Sequence, residues 1–386
     1  MLPYLYTRRG WMQTALPAAM ALSGGLRSLR ADEPKSPIVT ARVANLYVRT
    51  IWNDGRHNGF PGIARFGDHY YVTFRTSESH QAEESKITVI RAKADDLTKW
   101  EQVAQFERDH DSRDPLLIAL GDKLQLVFHS KEDYASITSD GRTWSEPRLL
   151  DTEFATPKPE SGLKFSSQRR WLFRIRRGPD GAYYSLGRCG IKEKDSPGTF
   201  GLILYRSEDA FTWKALHTYG EGPSRAIGQG GGSGWGHESD VAWWPDGTMV
   251  AAMRTATQGV VAIARPPYRD WTGFSTGCYN FGGPALHTTK LGGMLLSARQ
   301  LPETRAAGQF PARCVVWGVT RSGIVDPIYV PSSGDCAYQS FVDGPEGGEV
   351  LLCYYSSHEW PQRAGTGHNP ANIYLAHLTV RHETQT

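Results

Sequence analysis

Between residues 40 and 380, apolar and polar positions alternate in short runs, and no apolar pattern is sustained at helical period. Such alternation predicts strands joined by turns. Six times the chain reads strand, tight turn, strand, with the second strand closing on a large polar residue. The units are Gly62–Asp68 leading to Tyr71–Arg75, Leu116–Gly121 to Val127–His129, and Phe173–Gly181 to Tyr183–Arg188. The others are Asp240–Gly247 to Val250–Arg254, Pro284–Gly293 to Leu295–Arg299, and Tyr338–Gly348 to Val350–Tyr355. Every turn carries a glycine, which supplies the positive φ that a tight hairpin needs. The closing residues 75, 129, 188, 254, 299 and 355 are spaced by 54, 59, 66, 45 and 56. One hairpin repeated at a period near fifty predicts an all-β, six-bladed β-propeller. Residues 32 to 45 are expected to lead in, and Ile373–Val380 to close the ring.

A second signature falls between these hairpins. Thr138-Ser139-Asp140-Gly141-Arg142-Thr143-Trp144 is a turn in which the aspartate accepts backbone N–H bonds while the tryptophan packs beneath it. Ser207-Glu208-Asp209-Ala210-Phe211-Thr212-Trp213 repeats it without the glycine, and Ala94–Trp100 is a looser version. These turns are expected to be structural.

Composition agrees with many short aromatic strands: 386 residues hold Gly 41, Pro 23, Trp 12, Tyr 17 and Phe 14. The net charge of +3 is small and dispersed, which excludes a nucleic-acid face. Beyond the N-terminus no apolar stretch is long enough to cross a bilayer, so stable membrane insertion is not expected. The five cysteines are widely spaced without a CxxC, so no zinc site, and no other metal or cofactor, is expected. Thr7-Arg8-Arg9-Gly10-Trp11-Met12 precedes an apolar run from Leu16 to Leu22, which is similar to a bacterial twin-arginine export signal. Residues 1–31 are therefore expected to be removed, leaving one domain over 32–386 in the periplasm or outside the cell. Oligomeric state is not legible.

The aspartate turns and the six hairpins together resemble the sialidase (neuraminidase) superfamily with its Asp-box repeats, over nearly all of the chain after residue 45. The match is nearer to the sialidase-like proteins of environmental bacteria than to standard neuraminidases. In the family a glutamate and an arginine lie on the two strands of one hairpin, which fits Glu238 and Arg254. A second family arginine ends the next hairpin, which fits Arg299. The nucleophilic tyrosine opens the last inner hairpin, which fits Tyr338, with Asp335 just ahead of it. Where family members carry a YRIP-like segment, this chain has Arg56-His57-Asn58-Gly59-Phe60-Pro61. Where they carry an acidic aspartate after the first hairpin, it has Arg75-Thr76-Ser77-Glu78-Ser79-His80.

Strands of a propeller converge on its axis, so residues at their ends can share one pocket. Arg75, Arg188, Arg254 and Arg299, with Arg113 near, would gather guanidinium groups that an acidic sugar's carboxylate compensates. The plain alternative is that each arginine caps its own hairpin with a local ion pair. Asp335 is grouped with these binding residues. Tyr338 would attack, with Glu238 as its base. His80 or Glu78 would supply the acid, or His80 would remove a proton next to a carboxylate. The leading function is removal of a terminal acidic sugar from an oligosaccharide or polysaccharide. The alternatives are a lyase acting on uronate-containing glycans and a propeller that binds carbohydrate without turning it over.

Overall fold

A computed structural model describes residues 39–152, 164–192, 199–217, 238–255, 258–301, 312–360 and 369–384. The twin-arginine segment lies outside the described residues. All those described belong to one compact unit spanning Lys35–Thr386. They contain no helix, and no helix among them is long and apolar enough to cross a membrane.

All six predicted units form antiparallel pairs. His57–Phe66 pairs with His69–Ser77, Arg113–Leu120 with Lys123–Ser130, and Arg176–Arg177 with Tyr183–Lys192. Ser239–Trp243 pairs with Met249–Arg254, Thr272–Thr288 with Met294–Leu301, and Cys336–Asp343 with Glu349–Ser356. Their turns turn on Gly67, Gly121, Gly181, Gly247, Gly292 and Gly348, whose φ values lie between +60° and +85°. That region is open to glycine without steric cost, which is why the residue recurs at this offset. The strands assemble into four sheets of eleven, six, four and four strands, rather than separate sheets for each hairpin. The largest arises because the 17-residue strand Thr272–Thr288 pairs on both sides, and because the lead-in strand joins it.

The lead-in runs further along the chain than the sequence predicts. Val39–Trp52 is a 14-residue strand that runs antiparallel to Asn372–Thr384 and touches Met294 on its other side through Thr40.

Six apolar clusters fill the spaces between consecutive hairpins. Val72 and Phe74, for example, pack against Leu351 and Ile373, so the first hairpin meets the last. Tyr71 and Val89 meet Leu117 and Phe128, and Val127 meets Ile203 and Trp213. Leu204 meets Met253, Val250 meets Leu296 and Trp317, and Leu295 meets Leu352 and Tyr374. The aspartate turns form as expected. Asp140 Oδ1 accepts the Arg142 and Thr143 amides at 2.8 and 2.7 Å, and Asp209 Oδ1 accepts those of Phe211 and Thr212 at 2.8 and 2.7 Å. Where the first turn has Gly141, the second holds Ala210 in the same left-handed region, at φ +59°.

Candidate active site

The first strand of four hairpins is bulged at the same place. Pairing skips a residue between Gly59 and Gly62, Arg113 and Leu116, Gly282 and Ala285, and Ala337 and Ser340. Within the bulges Phe60, Asp114, Gly283 and Tyr338 adopt φ of +57°, +48°, +56° and +51°, and Arg174 ahead of the third hairpin has +30°. Proline follows three of them, Pro61, Pro115 and Pro284. A bulge re-aims a side chain, and left-handed backbone on a residue other than glycine costs on the order of 1–3 kcal/mol. Four such side chains, from Phe60, Asp114, Arg174 and Tyr338, border one water-sized cavity together with Leu172 and Phe173. Phe60 meets the Tyr338 ring edge-on at 4.8 Å.

Glu238 is buried beside this cavity. It accepts Arg254 Nη1 at 2.6 Å and the Gly283 amide at 2.5 Å, and it lies close enough to the Tyr338 side chain for each to bear on the other's charge. Burial pushes its pKa up, but Arg254, Arg299 and the Gly283 amide outweigh that and hold it below the usual carboxylate range. Tyr338 is pushed well above the ordinary phenol value by burial, then by Asp114 and Glu238. The phenol is therefore neutral and has an ionised carboxylate for a neighbour. The Arg299 guanidinium lies so near Gly282 that a Cβ there would stand 2.7 Å from Nη2.

A second carboxylate, Asp335, sits under the neighbouring loop. Its Oδ2 takes His57 Nε2 at 2.7 Å and His80 Nδ1 at 2.5 Å, and its Oδ1 takes the Tyr355 hydroxyl at 2.9 Å. Burial opposes its charge, yet the two imidazoles hold its pKa far below the usual value. With Asp335 ionised, His80 donates from Nδ1, which leaves Nε2 as the proton-accepting nitrogen. His57 is fully buried, and desolvation lowers its pKa despite Asp335. The ligand-capable atoms of His57, His80 and Asp335 lie within 4.8 Å of one another. Hydrogen bonding to a shared oxygen accounts for that convergence without an ion.

The arginines divide. Arg254 and Arg299 stand by Glu238. Arg75 does not reach the cavity. It is fully buried, and its guanidinium bonds Asp111 at 2.7 Å, the Ser77 hydroxyl, and the Ser79 and Ala82 carbonyls at 3.0 and 2.7 Å, which ties down its own loop. Arg113 bonds the same Asp111 and the His80 carbonyl, and lies over Phe60 at 5.6 Å. Arg188 stacks on Trp171 at 4.5 Å, and its charge bears on Asp114. For Arg75 the plain alternative of a local cap is the outcome. The Glu78 side chain is 81% exposed, and among the described residues it meets Arg56 at 3.7 Å.

His57, Asp114, Arg174 and Tyr355 escaped the sequence reading. The aspartate had a signal: Asp114-Pro115 stands at the same hairpin offset as Phe60-Pro61 and Gly283-Pro284. A larger groove of about 710 Å³ opens at the turn ends of three hairpins, between Pro179, Pro245 and Leu291, and holds none of the expected site residues.

No protein-family model and no curated protein matches the chain. Solved structures do. A protein of unknown function from Dyadobacter fermentans superposes with a TM-score of 0.67 at 17% identity, covering 88% of this chain and 99% of that one. A Trypanosoma rangeli sialidase in complex with the inhibitor DANA gives 0.57 at 13% identity over 83% of this chain and 55% of its own, so the chain spans about half that enzyme's length. An α-L-arabinanase from Penicillium chrysogenum, complexed with arabinobiose, gives 0.51 at 12% identity, over 83% of this chain and 93% of that one. At such identities the likeness speaks to fold alone. In fold, the chain is distantly similar to the sialidase and the arabinanase structures.

Proposed function

We propose that this protein is a six-bladed, Asp-box propeller glycoside hydrolase that removes a terminal acidic sugar by attack of Tyr338, with Glu238 as the base. The cyclic run of six apolar interfaces and the aspartate turns support the architecture. The observation that carries the reaction is the buried Tyr338 phenol set beside a Glu238 carboxylate that Arg254, Arg299 and the Gly283 amide hold ionised. A phenol at its reference pKa of about 10 is a weak nucleophile, and a base that takes its proton during attack removes that obstacle. A neutral nucleophile also avoids repulsion from an anionic sugar. Arg113, Arg174 and Arg188 beside Asp114 add to the positive field that such a sugar would meet.

The test is a panel of sialosides and uronate-containing glycans, read by released sugar and by ultraviolet absorbance. Tyr338→Phe should keep the fold and lose kcat by roughly 100-fold or more, because only the attacking oxygen is removed. Arg254→Ala or Arg299→Ala should raise KM and also lower kcat, because each removes a charge that keeps Glu238 ionised. Undiminished release of saturated sugar by Tyr338→Phe would remove the nucleophile assignment.

One observation favours a second reading, the lyase. Asp335 orients His80 with Nε2 free to accept a proton, as abstraction next to a uronate carboxylate requires. Rising ultraviolet absorbance from a new conjugated double bond, abolished by His80→Ala and spared by Glu238→Gln, would select it.

A further inference from the structure

The Tyr338–Glu238 couple accounts for attack and leaves the departing oxygen without a proton. Asp114 has the geometry of the missing group. It is only 7% exposed, and neither carboxyl oxygen has a hydrogen-bond partner. A buried carboxyl left unpaired is strongly disfavoured when it is charged. The chain nevertheless spends a bulge and a left-handed φ to set this side chain against the cavity that Tyr338 borders.

The neighbours that could quench Asp114 are engaged elsewhere. Arg113 bonds Asp111 and the His80 carbonyl, and Arg174 gives Nη2 to the Gln339 carbonyl at 2.7 Å. With Arg188 they lower its pKa by their field alone, while burial and the charge of Glu238 raise it. Burial wins, and the carboxyl is pushed up to about 7. Glu238, in the same site, is held down by direct contacts. Two carboxyls forced apart in this way divide the roles of acid and base.

We propose that Asp114 is the proton donor of this site, serving the glycosyl transfer to Tyr338 put forward above, on which this assignment rests. In the first half-reaction the Tyr338 oxygen bonds to the anomeric carbon and its proton passes to Glu238. The glycosidic C–O bond breaks, and the leaving oxygen takes the proton of Asp114. In the second half-reaction a water gives a proton to the Asp114 carboxylate and bonds to the anomeric carbon. The Tyr338 oxygen departs and recovers its proton from Glu238.

The test compares two leaving groups on the same acidic sugar: a second sugar, which departs only when protonated, and nitrophenolate, which departs unaided. Asp114→Asn, nearly isosteric with a protonated aspartate, should lower kcat/KM on the sugar-linked substrate by about 100-fold or more and on the nitrophenyl glycoside by less than about tenfold. The unmodified protein supplies a second measurement that needs no variant. Its kcat on the sugar-linked substrate should fall as pH rises through about 7, with no such limb for nitrophenolate. Equal losses on both substrates, the leaving-group split appearing in His80→Gln instead, or no limb near neutrality would each overturn the assignment of Asp114. If the unmodified protein releases sugar from neither substrate, the hydrolase reading falls and the donor role falls with it.

Discussion

Asp335 and Asp114 are two buried aspartates with opposite fates, and the difference is the number of donors within reach. Three groups donate to Asp335, and none to Asp114. Asp335 has its folded pKa depressed, so its stabilisation is present above the unfolded value of about 3.9 and lost as pH falls below it. His57, buried and neutral, adds to this acid lability because it must charge on unfolding. Asp335→Asn should therefore destabilise by about 2–4 kcal/mol at neutral pH, with the gap from the unmodified protein beginning to narrow only below about pH 4 in thermal melts. Asp114 runs the other way. The folded state holds its proton up to about 7 while the unfolded chain releases it near 4, so stability declines as pH rises through that window. Asp114→Asn should melt higher than the unmodified protein at pH 8.5, by on the order of 4 kcal/mol at most, and alike at pH 4. A variant that gained no stability in base would mean that the carboxyl is not held protonated. Glu238, Arg254, Arg299 and Tyr338 could be singled out in the sequence because the resemblance to the sialidases attaches to offsets along the hairpins. Asp114 and His57 could not, because what marks them is partners supplied, or withheld, by distant strands.

At the scale of the turn, the repeated aspartate motif was fully legible and its tolerance was not. Gly141 has φ +71°, and a Cβ there would lie 1.8 Å from the Tyr71 hydroxyl oxygen. Gly141→Ala should cost about 2 kcal/mol or more, because strain and a clash with a buried ring add. Its counterpart Ala210 shows that the backbone strain alone is borne where the neighbouring turn leaves room. A denaturant titration giving Gly141→Ala the stability of the unmodified protein would refute this. The bulges were legible only as prolines at matching offsets, since sequence alternation gives a strand's faces but not the single skipped residue. Arg75 illustrates the same limit. The alternating pattern puts it at a strand end beside the other arginines, but the loop that follows wraps its guanidinium with carbonyls.

For the whole molecule, six hairpins at a regular period carried the fold, and the four-sheet connectivity came from long-range pairing that no local pattern encodes. Val39–Trp52 seals the arrangement by pairing with Asn372–Thr384, while Ala41 joins the apolar cluster between the fifth and sixth hairpins. Deleting residues 39–52 should abolish the single cooperative melt and expose the edge of the last strand. A truncated chain that still melted in one sharp transition would show that the ring holds without its seal.

That seal also fixes an order of events in folding. The strand Val39–Trp52 is synthesised before every other described strand, and its partner Asn372–Thr384 after them all. The contact between them is the most non-local in the fold, so its loop-closure entropy is met last and folding is slow. Until then the first strand waits as an open edge. Arg42 and Arg49 along it, both incompletely buried even in the finished fold, are the kind of charges that keep an unpartnered strand from finding the wrong neighbour.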